Sequence, residues 1–315
     1  MSAYRIIDRL HVDQAAEVVR LKEGIRKAPA TIEPKYFYDE LGCTLYAAIC
    51  QLDEYYPTRT ERAIFQAYRG QISETIGKGG TFVDLGAGDC CKALGWLPFI
   101  EPQRYLAVDI AGPSLETALA AMAPDFPEVE MLGLVTDFSL SLEIPEELLT
   151  GRTTLFYPGS SIGNFSPSSA TRFLREMRRY TRDGGLLIGV DAKKDKARLD
   201  AAYADALGVT AAFNLNALRH INRVIGSDFE ESRWRHVGAY NASLGRIEMH
   251  LESTVEQSVM IDGVARSFRA GERIHSESSY KYARDEFEAM LREAGFSEIT
   301  VWTDADQAFW VFYAS

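Results

Sequence analysis

From Gly80 onward, apolar runs rich in β-branched and aromatic residues alternate with amphipathic stretches. The pattern predicts successive βαβ units and a mostly parallel sheet. The predicted strands are TFVDL (81–85), RYLAVDI (104–110), VEMLGLVTD (129–137), TTLFYPG (153–159) and LLIGVDA (186–192). Near the C-terminus, EITVWTD (298–304) and AFWVFYA (308–314) are close enough in sequence to form an antiparallel pair at one end of that sheet. The segment ARDEFEAMLREAGF (283–296) places Phe287, Met290, Leu291 and Ala294 at helical spacing, with Gly295 as its stop. Residues 193–282 break the rhythm: a helical stretch over 196–225 is followed by alternating segments, RIEMHLEST (246–254) and RIHSESSYKY (273–282). This reads as an inserted α+β subdomain. The first 62 residues also lie outside the βαβ pattern and read as mainly helical. The expected fold class is therefore α/β, with a Rossmann-like core over 63–192 and 283–315. Residues 1–62 and 193–282 form a separate, substrate-binding region.

Composition narrows the partners. Hydrophobic residues at 46% and charged residues at 25% are ordinary for a chain that buries a core. A net charge of -11 opposes attraction to nucleic acid or anionic lipid, so a small-molecule substrate is expected. The N-terminus shows no apolar signal core, and no apolar run approaches the ~18 residues of a membrane span, which predicts a cytoplasmic protein with no membrane partner. The cysteines at 43, 50, 90 and 91 lack CxxC spacing and the scattered histidines form no HxxxH pair. Reduced thiols and no metal are expected. The oligomeric state stays open; a monomer is compatible with the sequence.

Chemistry enters at the end of the first core strand. TFVDLGAGDCCK puts an apolar strand directly before Gly86-Ala87-Gly88, where a chain without Cβ atoms turns tightly and approaches a ligand. A dinucleotide fingerprint would place its third glycine where this chain has Cys91, which weakens a nicotinamide reading. The next strand ends in Asp109, whose carboxylate can accept from both hydroxyls of a ribose, although it can equally cap the following helix. The third ends in Asp137-Phe138, a carboxylate for an adenine amino group beside a ring that packs on the base. Together these favour an adenosine-containing ligand. An acidic site lacking the third glycine leans toward the positive sulfonium of S-adenosylmethionine, with Lys92 in reach of its methionine carboxylate or ribose edge.

At KYFYDELGCTLYAAICQLDEYYPTRTE (35–61), VDLGAGDCCK, LFYPGSSIGNF (155–165), RLDAAYAD (198–205), FNLNALRHINR (213–223), IEMHLES and IHSESSYKY, the chain resembles the histidine-specific N-α-methyltransferases of ergothioneine biosynthesis. YFYD, EYYPT and GSSIGNF in this order are far more specific than the glycine loop. The resemblance implies a methyltransferase core and successive methylation of the L-histidine α-amine up to trimethylhistidine (hercynine). It implies Gly86, Lys92, Asp109, Asp137 and Phe138 as cofactor residues. It further implies that Tyr56, Asn164 and Tyr203 hold the amino and carboxylate groups of histidine. Glu277 and Ser279, with Met249 nearby, meet the imidazole; Tyr38 and the Gly159 carbonyl border the amine, and Tyr38 and Asn164 position it for reaction. By pattern alone Glu277 reads as a solvated strand face, Met249 as core filler and Asn164 as a turn former.

These residue types suit the chemistry. Methyl transfer to an amine asks chiefly for alignment, which neutral groups such as Asn164 and Tyr56 provide without holding the unreactive ammonium as a carboxylate would. Tyrosine rings accommodate a growing methylammonium by cation–π contact. The competing readings are a related enzyme acting on tryptophan or another amino acid, and a non-catalytic adenosine-binding module. A nicotinamide dehydrogenase is a third.

Overall fold

The computed structural model describes residues 4–10, 14–138 and 141–315, in two compact units. The first unit takes its chain from Met1–His11, Thr60–Ala192 and Tyr282–Ser315, the second from Val12–Arg59 and Lys193–Lys281. In chain order the strands are β1 (Tyr4–Asp8), β2 (Ala30–Thr31), β3 (Thr81–Leu85), β4 (Arg104–Asp109), β5 (Glu130–Val135), β6 (Thr153–Tyr157) and β7 (Leu186–Asp191). They continue as β8 (Trp234–Asn241), β9 (Arg246–Ser253), β10 (Gln257–Ile261), β11 (Val264–Phe268), β12 (Arg273–Tyr280), β13 (Ile299–Thr303) and β14 (Phe309–Ala314).

The first unit holds one eight-stranded sheet in the order β1-β5-β4-β3-β6-β7-β14-β13. Only β14 runs against the others, pairing antiparallel with both β7 and β13. Every residue of β3, β6, β7 and β14 is buried, the signature of strands covered on both faces, and this is why they read as unbroken apolar runs. Helix Gly112–Met122 buries Leu115, Leu119 and Met122, and helix Pro167–Tyr180 buries Ala170, Phe173, Leu174 and Met177, each at the spacing of one helical face. The strand order turns at β3, with β4 and β5 to one side and β6 and β7 to the other. A crevice opens beyond the carboxyl ends of strands at such a point.

The expectation that residues 1–62 lie outside the core fails at their start. The N-terminal residues are not wholly outside the core, because Tyr4–Asp8 adds β1 to the sheet in parallel with β5. The strand is short and at an edge, with none of its residues fully buried and two of the five charged, so YRIID carries no continuous apolar run. The helical expectation holds for Gln14–Arg26, Glu40–Ile49 and Tyr56–Ile76, the last of which crosses from one unit to the other.

The second unit packs helices on the sheet β2-β12-β9-β8, with β10 and β11 as a separate hairpin. Its core includes Ile25, Phe37, Tyr56, Leu199, Phe213, Ala217, Leu218, Ile221, Ile247, Met249, Leu251 and Ile274. The helical stretch expected over 196–225 is two helices, Lys196–Tyr203 and Val209–Ile225. They part where Gly208 takes a left-handed φ of +75° and the Asp205 carboxylate accepts from the Val209 and Thr210 amides, capping the second helix. Among the described residues no helix is long and apolar enough to cross a membrane.

Candidate active site

In the first unit the chain leaves β3 through Gly86 and Gly88, both left-handed at φ +71° and +54°. A Cβ on Gly86 would lie 3.7 Å from the Phe138 ring, whereas a Cβ on Gly88 would meet nothing within 4 Å. The loop is thus closed on its Phe138 side and open above Gly88. Asp109 ends β4 and is anchored twice: Oδ2 accepts from the Gly88 amide at 2.9 Å and Oδ1 from the Ala111 amide at 2.9 Å. Each carboxylate oxygen has further lone-pair capacity, so helix-start anchoring and ribose binding are compatible. Asp137 lies two residues beyond the end of β5, half-buried, and Phe138 stacks on Phe173 at 6.0 Å with its edge toward Tyr157. Cys90, rather than Cys91, takes the left-handed turn after the loop, at φ +58°.

Lys92 is not solitary. Its Nζ donates to Glu61 Oε2 at 2.6 Å, and the Gly159 amide donates to Glu61 Oε1, also at 2.6 Å. Glu61 is 1% exposed, so these two charge-assisted bonds offset a large desolvation cost and tie the loop after β6 to the helix that follows the glycine loop. Gly189 in β7 makes room for the carboxylate, since a Cβ there would overlap Glu61 Oε1. Asn164 ends the short turn Ser161–Asn164 in this loop and is exposed. Ser160 pins the loop by accepting from the Asp191 amide at 2.8 Å.

Sequence reasoning did not single out Glu61, whose partners are remote in the chain. It also passed over Asp84, buried in β3, where Tyr105 donates to Oδ2 at 2.9 Å. Burial pushes this carboxyl up to about 7, against the pull of Tyr105 and Lys92. An acid inside an otherwise apolar parallel strand was the available signal. Glu61→Gln is expected to destabilise the first unit by ~2–4 kcal/mol, because an amide cannot accept from both partners without facing one of them with its own N–H. A thermal melt identical to that of the unmodified protein would refute the clamp.

In the second unit, Tyr56 is buried and its hydroxyl accepts from Lys194 Nζ at 2.6 Å. Lys194 and Arg198 also lie 4.3 and 4.7 Å from its ring centroid. Two cations on one tyrosine suit an anionic group such as a substrate carboxylate. Tyr38, 42% exposed, sits edge-on to Tyr46 and Phe213, and Tyr55 links Tyr46 to Tyr203. Desolvation of its hydroxyl within this recess, and then the nearby Tyr46, Glu277 and Tyr203, hold Tyr38 well above its ordinary pKa. A set of neutral rings is a fitting environment for a methylated ammonium.

Glu277 stands opposite Met249 in the β12–β9 register, and Ser279 stands opposite Ile247. A β-bulge between His275 and Glu277 re-aims this end of β12. Met249 is fully packed in the core, as its pattern suggested, yet it is the cross-strand neighbour of Glu277. Burial pushes the Glu277 carboxyl up to about 7, and Lys281 pulls it back. Tyr203 donates to Ser279 Oγ at 3.1 Å. Of the residues proposed to hold histidine, Gly159 and Asn164 belong to the first unit; Tyr38, Tyr56, Tyr203, Met249, Glu277 and Ser279 belong to the second.

A sheet with one reversed strand, a glycine loop open above its switch point and an anchored acid closing the next strand define the class of S-adenosylmethionine-dependent methyltransferases. The open space at Gly88 and the acceptors on Asp109 fit the ribose of that cofactor. The family model described as histidine-specific, S-adenosylmethionine-dependent methyltransferase matches residues 16–315, and the chain belongs to that family. It is 36% identical over 305 residues to the histidine N-alpha-methyltransferase of Mycolicibacterium smegmatis, covering 94% of each chain. It is 32% identical to ergothioneine biosynthesis protein 1 of Neurospora crassa over 92% of this chain, which is 33% of that longer protein. A 4-dimethylallyltryptophan N-methyltransferase of Epichloe festucae var. lolii is 27% identical over 98% of each chain.

Proposed function

We propose that this enzyme transfers methyl groups from S-adenosylmethionine to the α-amine of free L-histidine, up to trimethylhistidine, as a step in ergothioneine biosynthesis. The observation that carries the reading is the placement of Glu277 and Ser279 on one face of β12, beside Met249, in a chain of the histidine-specific family. The cofactor, when bound, supplies a methyl group already activated by its sulfonium. The chain's own task is then to bind, align and stay out of the way of the amine.

Gly86, Asp109, Asp137 and Phe138 hold the adenosine, while Lys92, fixed by Glu61, faces its polar edge. Tyr56, Tyr203 and Asn164 hold the amino-acid end. The α-amine has a reference pKa of about 8 and must be neutral to react, so an uncharged amide such as Asn164 orients it without retaining its proton. Tyr38 and the Gly159 carbonyl border the amine. Glu277 and Ser279 meet the imidazole, and a hydrogen-bonding pocket rejects an analogue that lacks the matching group far better than an apolar one does. We place the enzyme in the cytoplasm, acting on a small molecule and not on nucleic acid or a membrane; the net charge of -11 supports the exclusion of nucleic acid.

The similarity to a tryptophan-derivative methyltransferase keeps a second substrate class in view. An indole offers one N–H and no bare ring nitrogen, so it matches Glu277 but not Ser279. A panel of free amino acids assayed for S-adenosylhomocysteine release separates the readings. Turnover with histidine alone is expected; turnover with tryptophan would transfer the proposal to that class, and none with any amino acid would favour a non-catalytic binder.

A further inference from the structure

Lys281 follows Glu277 and Ser279 at the period of a strand, and it is 2% exposed. Its Nζ donates to Ser279 Oγ at 2.9 Å and to Tyr203 Oη at 3.1 Å, and lies 5.0 Å from the Tyr203 ring centroid. Tyr203 in turn donates to Ser279 Oγ. These three bonds close a triangle whose proton count is fixed. An ammonium has donors and no acceptor, and a hydroxyl has one proton and two lone pairs. Ser279 Oγ therefore accepts twice, from Lys281 and from Tyr203. Its lone pairs are occupied, and its one remaining capacity is to give its own proton.

The other side of the pocket has the opposite character. Burial pushes the Glu277 carboxyl up to about 7, with the positive charge of Lys281 pulling against it, so above that pH it is ionised and accepts. Glu277 and Ser279 are two residues apart on one strand face, roughly 6.6 Å along the strand, a span that two hydrogen bonds of about 2.9 Å and the edge of a five-membered ring can fill.

We propose that Lys281 is a positioning residue that sets the hydrogen-bond polarity of the imidazole pocket: with Ser279 able only to donate and Glu277 accepting, the pocket selects the neutral histidine ring in a single tautomer, one N–H toward Glu277 and one bare nitrogen toward Ser279. This rests on the reading that Glu277 and Ser279 meet the imidazole. A ring protonated on both nitrogens, or one carrying C–H in place of the bare nitrogen, meets a serine that cannot adapt to it.

The test compares histidine with the two pyrrolylalanines, in which one or the other ring nitrogen is replaced by C–H, by calorimetric titration in the presence of S-adenosylhomocysteine. The full-length enzyme is expected to prefer histidine over the better pyrrole by about 10–100-fold, since a buried donor is left unmatched. In Lys281→Met the released serine can turn to other partners, and the preference should narrow to about threefold; Ser279→Ala should erase it. Ser279→Ala losing the preference while Lys281→Met keeps it overturns the role of Lys281 and leaves the pocket intact. Histidine binding that is indifferent to Glu277→Ala and Ser279→Ala alike overturns the pocket reading itself. A measurement on the unmodified enzyme stands apart from whether the variants fold. Ring-15N-labelled histidine, bound and observed by NMR, should show one protonated and one bare nitrogen; two protonated nitrogens would overturn the proposal.

Discussion

Asp109→Ala is expected to weaken S-adenosylhomocysteine binding by about 100-fold or more, because a charged acceptor serving two ribose hydroxyls is worth roughly 1.5–3 kcal/mol per bond. Histidine affinity, measured separately, should fall far less. The same carboxylate anchors the Gly88 and Ala111 amides, so the ligand-free protein should also lose stability, by ~1–2 kcal/mol. Asp109→Asn retains one acceptor and the shape, and should fall between. Calorimetric titration of the cofactor product checks the series. Affinity within threefold of the unmodified protein in Asp109→Ala would remove the ribose from this residue.

Glu277→Ala is expected to do the reverse, lowering histidine affinity by about 100-fold while leaving S-adenosylhomocysteine nearly untouched, since a polar pocket that loses its acceptor strands the substrate N–H. Equal losses of both ligands in both variants would sink the division of the site. Glu277 also has a pH signature. Its folded pKa of about 7 lies above the ordinary 4.5, so the folded chain holds this proton more tightly than the unfolded chain does. The cost of ionising it is absent below the unfolded value, grows as pH rises between the two, and is constant above the folded value. Glu277→Gln should therefore stabilise the ligand-free protein by ~1–3 kcal/mol at pH 8 and by nothing resolvable at pH 4. A gain confined to low pH would contradict the assignment.

The parallel core was legible because its strands are covered on both faces and so read as apolar runs, and because Gly86-Ala87-Gly88 and Asp109 fall at the ends of two of them. β1 was not legible: five residues at a sheet edge with two charges among them carry too weak a period. The break between Lys196–Tyr203 and Val209–Ile225 depends on a capping carboxylate and a left-handed glycine, which local composition only hints at. In the site, pattern alone read Glu277 as a solvated strand face and gave Ser279 no role, with no reason to prefer substrate over solvent. That reason comes from contacts across the chain. Glu61 reaches Lys92 and the Gly159 amide, and Lys281 reaches Tyr203; partners so far apart in sequence leave no periodic trace. The resemblance to a family pointed to substrate residues that no periodicity distinguishes from core or surface. Their side chains acquire a physical rationale from neighbours such as Lys194 on Tyr56 and Lys281 on Ser279.

The most direct test of the account is high-resolution mass spectrometry of the reaction of the purified enzyme with S-adenosylmethionine and L-histidine, with fragmentation to locate the added groups. The account predicts mass gains of whole methyl groups, up to three, all on the α-nitrogen, with the imidazole unmodified. Methyl groups on the ring, or histidine recovered unchanged while the cofactor still binds, would contradict it.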